Sequence, residues 1–461
     1  MNMTKEDIKQ LKLQNNGSLS KLVNENLSNL GNLTFILENI GHIQKGFDYS
    51  WLLGLIHYEN EAVRVLVIKN LGKVQSTDLI QVFYNVINKD KSTLVKREAV
   101  SALGRMRNEQ TKDILLKLLE DTDPKIVCQA IRGLLVFKGN TEIDNRLKNL
   151  INHENEIVKA LIKKEYFASA LYKSKKLNHT ESYDFLKNVI VHADVLEALK
   201  YVPEDSIHLT FTSPPYYNAR DYSIYPSYDA YLQFLSDVFK ETHRITKEGR
   251  FLIVNTSPVI VPRISRAHAS KRYPIPFDLH TILVKQGWEY IDDIIWEKPE
   301  YSVKNRVGGF QQHRKPLGYK PNTITEYLFV YRKQTDKLLD WNMHQYEKDI
   351  VEKSKVLDDF ETNNIWKICP RSDKVHPAVF PSELCKRVIQ YYSYVGDLVF
   401  DPFAGSGTMG YTAKKMNRFF FLTEKDEKYF EYMKSYRREI SLFETENTKF
   451  YTLEQFKESI K

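Results

Sequence analysis

Apolar positions along the chain keep two different rhythms. In the first third they recur every third or fourth residue, and the segments that carry them repeat: 62–72, 94–104, 125–135 and 156–161 superpose at a period of about 31 to 32 residues. Each follows a polar turn, such as 120–124. The pattern predicts paired helices stacked into a solenoid that ends near Ala170 and presents a concave face to a partner. A generic helical bundle without partners is the plainer alternative. A polar, basic connector covers 173–180. Beyond it the pattern changes to brief apolar runs of strand type at 188–194, 207–212, 250–255, 290–298, 323–331, 397–400 and 418–424, with helical stretches at 195–199, 228–244, 277–285 and 409–415 between them. That alternation predicts an α/β domain. From 332 to 370 the periodicity fades and charges alternate.

The run at 397–400 leads into Gly405-Ser-Gly407-Thr-Met-Gly410, whose glycines free the backbone for close approach of a ligand. The spacing satisfies the dinucleotide fingerprint, and Glu424 follows at the distance, roughly 20 residues, expected of a ribose-binding carboxylate. Charge argues the other way, because a pyrophosphate needs a helix N-terminus without a carboxylate beside it, and Asp401 stands at the strand end. S-Adenosylmethionine carries an ammonium and a sulfonium and no phosphate, so it suits an acidic turn better. A nicotinamide oxidoreductase remains an alternative on the glycines alone.

A second strand, 207–212, ends at two prolines that stop it and two aromatics just past its carboxyl end, the edge at which open α/β sheets bind ligands. Thr212-Ser213-Pro214-Pro215-Tyr216, followed downstream by Asp401-Pro402-Phe403-Ala404-Gly405-Ser406-Gly407-Thr408, resembles the DNA amino-methyltransferases of the permuted (beta) order, N4-cytosine/N6-adenine type, over about residues 188–439. The first third resembles HEAT-like repeats. Together these imply a HEAT-like helical repeat domain at 1–172. They also imply an α/β catalytic domain at 181–461 with the class I S-adenosylmethionine-dependent methyltransferase fold, Rossmann-like with a mostly parallel sheet, and a short target-recognition insert near 333–370.

The resemblance also implies site residues. Asp194, His376, Phe380, Asp401, Pro402, Phe403, Ala404, Gly405, Ser406, Gly407, Thr408 and Glu424 would hold S-adenosyl-L-methionine. Asp194 would lie beside the adenine, with helix N-capping as its competing role. His376 and Phe380 belong to a segment stiffened by Pro377 and Pro381, with Ser382 as the expected N-cap of the next helix. Leu422 stands where the family usually has glycine before the acidic position, which weakens the ribose role of Glu424. Ser213, Pro214, Pro215 and Tyr216 would be catalytic: Ser213 Oγ and the Pro214 carbonyl accept hydrogen bonds from an exocyclic amine, and Tyr216 stacks on a base flipped from the duplex. Within the family serine at the first motif position is more usual for cytosine N4, so the expected reaction is N4-cytosine methylation of double-stranded DNA, with adenine N6 as the alternative. A cytosine-C5 enzyme would need a cysteine after a proline, and the chain has no Pro-Cys dipeptide.

Tyr217 and Arg220 lie next to the catalytic motif, and the loop 299–321 offers Arg306, Gln311, Gln312, Arg314 and Lys315, cations for phosphates and amides for base edges; these are the expected DNA contacts, a solvated basic loop being the plainer reading. A net charge of +8 favours such an anionic partner without proving it. A restriction endonuclease or another protein on the solenoid is the other expected partner. The three cysteines are scattered without metal-ligand spacing, so no metal site is expected. The first residues have no apolar core of signal type and nowhere do about 18 apolar residues run together, so a cytoplasmic protein is expected, away from membranes.

Overall fold

The computed structural model describes residues 4–14, 16–44, 46–167, 178–217, 225–261, 265, 267, 270–357, 360–370, 380–439 and 447–460. Two compact units divide the chain, Met1–Lys173 and Ser174–Lys461.

In the first unit the repeating helices are Glu61–Val74, Thr93–Met106, Pro124–Leu134 and Glu156–Ile162. The period is written in their caps as well as in their apolar faces. Asn60, Ser92, Asp123 and Asn155, about 31 to 32 residues apart, each accept a backbone N–H from the first turn of their helix. Matched ion pairs repeat too, Arg64 with Asp90 at 2.9 Å and Arg97 with Asp123 at 2.6 Å. Val67, Leu71, Ala99, Leu103 and Ile131 fill the shared core. Glycines let neighbouring repeats approach: a Cβ on Gly72 would lie 2.8 Å from that of Ala102, and one on Gly104 3.0 Å from Gly133 Cα.

Eleven strands shape the second unit among the described residues: β1 Val189–His192, β2 Ile207–Thr212, β3 Thr246–Thr256, β4 Val259–Val261, β5 Lys271–Tyr273, β6 Trp288–Glu297, β7 Thr325–Lys333, β8 Ile365–Lys367, β9 Leu398–Asp401, β10 Phe419–Glu424 and β11 Lys449–Thr452. Nine form one sheet in the order β11-β1-β10-β9-β2-β3-β7-β6-β8, and β4 with β5 makes a separate antiparallel pair. Only β7 runs against its neighbours β3 and β6. The strands are apolar on both faces because both faces are covered: Val189, Val191, Leu398, Phe400 and Phe421 enter one core, and Ile190, Val399, Phe420 and Leu422 the other.

Several elements differ from the sequence reading. The stretch 299–321 is not all loop, since it holds the turn Glu300–Ser302 and the helix Gly308–His313. Strand β3 begins at Thr246, earlier than its apolar run, because Lys247 and Arg250 are themselves buried. Ser382 does not cap its helix: Ser382–Tyr392 starts directly behind Pro381, with no side-chain cap. At the edge of the sheet opposite the strand ends discussed below, Asp397 is fully buried and takes the Arg250 guanidinium, the Tyr346 hydroxyl at 2.5 Å and the Tyr394 N–H at 2.8 Å, which ties the start of β9 to β3. Among the described residues no helix is long and apolar enough to cross a membrane.

Candidate active site

Strands β2 and β9 are parallel neighbours, yet the chain leaves β9 for β10 on one side and β2 for β3 on the other. Such a reversal opens a crevice at the carboxyl ends of the strands. The two sequence motifs meet there. Thr212, last in β2, donates its hydroxyl to Asp401 Oδ1 at 2.6 Å, and both residues are buried. The Phe403 N–H donates to the same oxygen at 3.0 Å. Burial pushes the Asp401 carboxyl up to about 6, with these two hydrogen bonds pulling the other way.

Glu424 closes β10 and binds the glycine-rich turn. Its carboxylate accepts the Gly405 N–H at 2.7 Å and the Asp426 N–H at 2.8 Å, and burial pushes it up to about 7. The Gly405 N–H that would have to cradle a phosphate thus already faces a carboxylate, which disfavours a dinucleotide and suits a cationic ligand. Asp194 serves as N-cap of Val195–Leu199, accepting from Leu196 N–H at 3.0 Å, while its other oxygen meets Lys425 at 3.1 Å. It also lines the cavity, so capping and ligand contact are compatible roles.

The cavity measures about 1090 Å³ and is bordered by Asp194, by Ser213, Pro214, Pro215 and Tyr216, by Phe380, by Asp401 to Ser406, and by Thr408 and Glu424. Phe380 stacks on Phe211 of β2 at 4.6 Å. Gly405 and Gly407 take left-handed backbone, φ 53° and 77°. Gly407 nevertheless departs from the expected cofactor role: it does not border the cavity, and a Cβ there would lie 2.8 Å from Met433 Sδ. Gly410 likewise serves packing, since its Cβ would fall 2.7 Å from Leu422 Cδ1.

Tyr216 is fixed by its hydroxyl, which donates to Glu326 Oε2 at 3.0 Å; burial and that neighbouring carboxylate hold the phenol well above its usual range. Glu326 in turn pairs with Lys298, whose ammonium stands 4.5 Å over the Trp296 ring. Tyr217, expected among the DNA contacts, is turned into the protein. It is 7% exposed and packs against Tyr228, Tyr231 and Tyr273. Arg306 borders the cavity, whereas Gln311, Gln312, Arg314 and Lys315 are exposed on and after the helix Gly308–His313 and do not. His376 and Arg220 lie outside the described residues.

Sequence reasoning missed Thr212 as the link between the motifs, and it missed Glu326 and Lys298 altogether. Their signal is faint: Glu326 is one charge near the start of a largely apolar and aromatic strand, and Lys298 follows a strand that already carries four acidic residues. The fold gives them meaning by ordering charge along one edge. The ends of β1, β10 and β9 carry Asp194, Glu424 and Asp401; β2 brings Ser-Pro-Pro-Tyr; beyond β7 and β6 come Lys298, Lys304 and Arg306. Carboxylates predominate on one side of the serine, with Lys425 among them, and cations on the other, with Glu326 among them.

The DNA methylase family profile matches residues 207–435 and the HEAT repeat profile residues 50–135. The Type II beta methyltransferase M.BslI of Bacillus sp. (strain NEB-606) is 26% identical over 392 residues, 76% of this chain and 41% of its own length. The Type II methyltransferase M.MwoI of Methanothermobacter wolfeii is 29% identical over 50% of this chain and 31% of its own length. This chain therefore spans less than half of either relative. The Type II methyltransferase M.Cfr9I of Citrobacter freundii is 27% identical over 55% of this chain and 89% of its own. Among solved structures, the PvuII DNA methyltransferase (cytosine-N4-specific) aligns with 59% of this chain and 91% of its own at 20% identity, TM-score 0.41.

Proposed function

We propose, on the premise that residues 207–435 match the DNA methylase family profile, that the chain is a site-specific DNA methyltransferase that moves a methyl group from S-adenosyl-L-methionine to the exocyclic N4 amine of cytosine in double-stranded DNA. One observation carries the reading. The buried Thr212 to Asp401 hydrogen bond holds the Ser-Pro-Pro-Tyr loop and the glycine-rich turn against a single cavity.

The residues fit the cofactor. Asp194, Asp401 and Glu424 give an anionic wall of the right sign for an ammonium and a sulfonium, and Phe380, Pro402 and Phe403 give apolar surface. When bound, S-adenosyl-L-methionine supplies an electrophilic methyl group. The protein's own part is to prepare the amine. The nitrogen lone pair of cytosine is delocalised into the ring, so the amine must pyramidalise to act as a nucleophile. Ser213 Oγ and the Pro214 carbonyl hold its two hydrogens and offset the positive charge that develops on nitrogen. Pro214 and Pro215 stiffen the loop that aims them. Tyr216 stacks on the flipped base. Lys304 and Arg306, at the cationic end of the cavity, receive the DNA backbone. The Type II names of the relatives support a place in a restriction-modification system, with a cognate endonuclease as partner.

The direct assay is transfer of tritiated methyl from S-adenosyl-L-methionine to duplex DNA. Label retained in the DNA supports the reading. Nicotinamide reduction without methyl transfer would replace it with the oxidoreductase.

A further inference from the structure

The cavity contains one group that the chemistry above leaves without work. Glu326 stands near the start of β7, and only because β7 runs antiparallel between β3 and β6 does its first turn of chain reach the edge where Ser213 lies. There it takes the Tyr216 hydroxyl at 3.0 Å and pairs with Lys298, the two side chains being 15% and 18% exposed. The Ser213 side chain is a hydrogen-bond partner of the Tyr216 hydroxyl as well. Taking a carboxylate and an ammonium this far from water is costly, and an apolar pair of similar volume would stabilise the strand end at least as well. Stacking on a base would need only the ring of Tyr216, not its hydroxyl.

We propose that Glu326, held in place by Lys298 and acting through the Tyr216 hydroxyl, receives the proton that leaves the methylated amine. The inference rests on the methyl-transfer reading. The amine lone pair forms the N–CH3 bond while the bond from that methyl to sulfur breaks and its electron pair stays on sulfur. The nitrogen proton passes to Ser213 Oγ, the Ser213 proton to Tyr216 Oη, and the Tyr216 proton to Glu326 Oε2. A sulfonium and a carboxylate become a thioether and a carboxylic acid, and the methylated amine leaves neutral. The phenol is held well above its usual range, so Tyr216 conducts the proton as a neutral hydroxyl and never stores it. Glu326 then returns its proton to solvent. Glu326 and Lys298 are positioning residues in this scheme, and their charge also offsets the charge developing on nitrogen.

The test compares Tyr216→Phe, Glu326→Gln and Glu326→Asp in the full chain, with methyl transfer to duplex DNA followed from pH 6 to 9 and 2-aminopurine placed at the target base to report flipping. In Tyr216→Phe and Glu326→Gln, kcat is expected to fall about 100-fold. DNA affinity and the 2-aminopurine signal stay at the wild-type level. The Glu326→Gln rate recovers as pH rises and hydroxide replaces the missing acceptor, and Glu326→Asp keeps most of the activity. Wild-type kcat in Glu326→Gln at every pH would overturn the proposal. So would loss of rate and of 2-aminopurine signal by the same factor, which would leave Glu326 as a tether for the ring. Tyr216→Phe removes a single oxygen and keeps the test valid if Glu326→Gln does not fold. Absence of methyl transfer by the wild-type chain would instead overturn the function on which the inference stands.

Discussion

Asp401 and Glu424 set the pH behaviour of the cavity. Both carboxyls are raised by burial, to about 6 and about 7. A cationic cofactor binds their ionised forms, so lowering the pH through this window must weaken it, each group contributing at most about tenfold per pH unit. Calorimetric titration of S-adenosyl-L-methionine from pH 8 to 5.5 should show affinity flat at the alkaline end and falling below about 7. Glu424→Gln should lower the affinity and remove the upper part of that fall. A profile unchanged in the variant would take Glu424 out of the cofactor site. Ser213 behaves differently, since its hydroxyl acts on the amine and not on the cofactor. Ser213→Ala should reduce kcat about 100-fold or more while cofactor binding is unchanged. Equal losses in binding and rate would remove the assigned role. At this scale the sequence brought the right segments together where chemistry and spacing coincide: Ser213-Pro214-Pro215-Tyr216 and Asp401 to Ser406 border one cavity. The burial of Tyr217 was not legible, because two adjacent tyrosines look alike in sequence and differ here in how deeply they are packed.

Elements carried more of the message than single residues. Strands β9 and β10 were legible because they are mostly apolar runs, as strands buried on both faces tend to be, and β2 because its residues are β-formers that run into two prolines. The repeating helices were legible because caps and apolar faces share one period. Glycines were the weak point. Gly407 and Gly410 fit a ligand-binding spacing, but their missing Cβ atoms make room for Met433 and for Leu422 and Phe420. Spacing cannot tell a close approach of ligand from a close approach of core. Short β8 and β11 were illegible, since each has three or four residues and takes its strand conformation from pairing to β6 or β1. Buried charge was equally hidden: nothing near Asp397 in the sequence announces that Arg250 meets it from β3. Asp397→Ala should leave that guanidinium buried and unpaired, at a cost of about 3 to 5 kcal/mol. Urea unfolding followed by tryptophan fluorescence measures this, and a loss below about 1 kcal/mol would show that water reaches Arg250 and solvates it.

For the whole molecule, the formal charge of +8 matters less than its arrangement. Carboxylates gather where β1, β10 and β9 end and cations where β6 ends, so one edge of one sheet carries both signs of charge, with Ser213 between them. No stretch of sequence contains that arrangement. It comes from the strand order, which brings Lys298 and Glu326 beside a motif roughly a hundred residues earlier. The helical unit adds a repeat array of the kind that presents an extended surface to partners, and the HEAT profile covers residues 50–135 of it. The most direct test is made in cells: express the full chain in a bacterial host without endogenous methylation, digest the genomic DNA to nucleosides, and analyse them by mass spectrometry beside a Ser213→Ala control. N4-methylcytosine in the wild-type sample and none in the control is the predicted result; N6-methyladenine, or no methylated base, would contradict it.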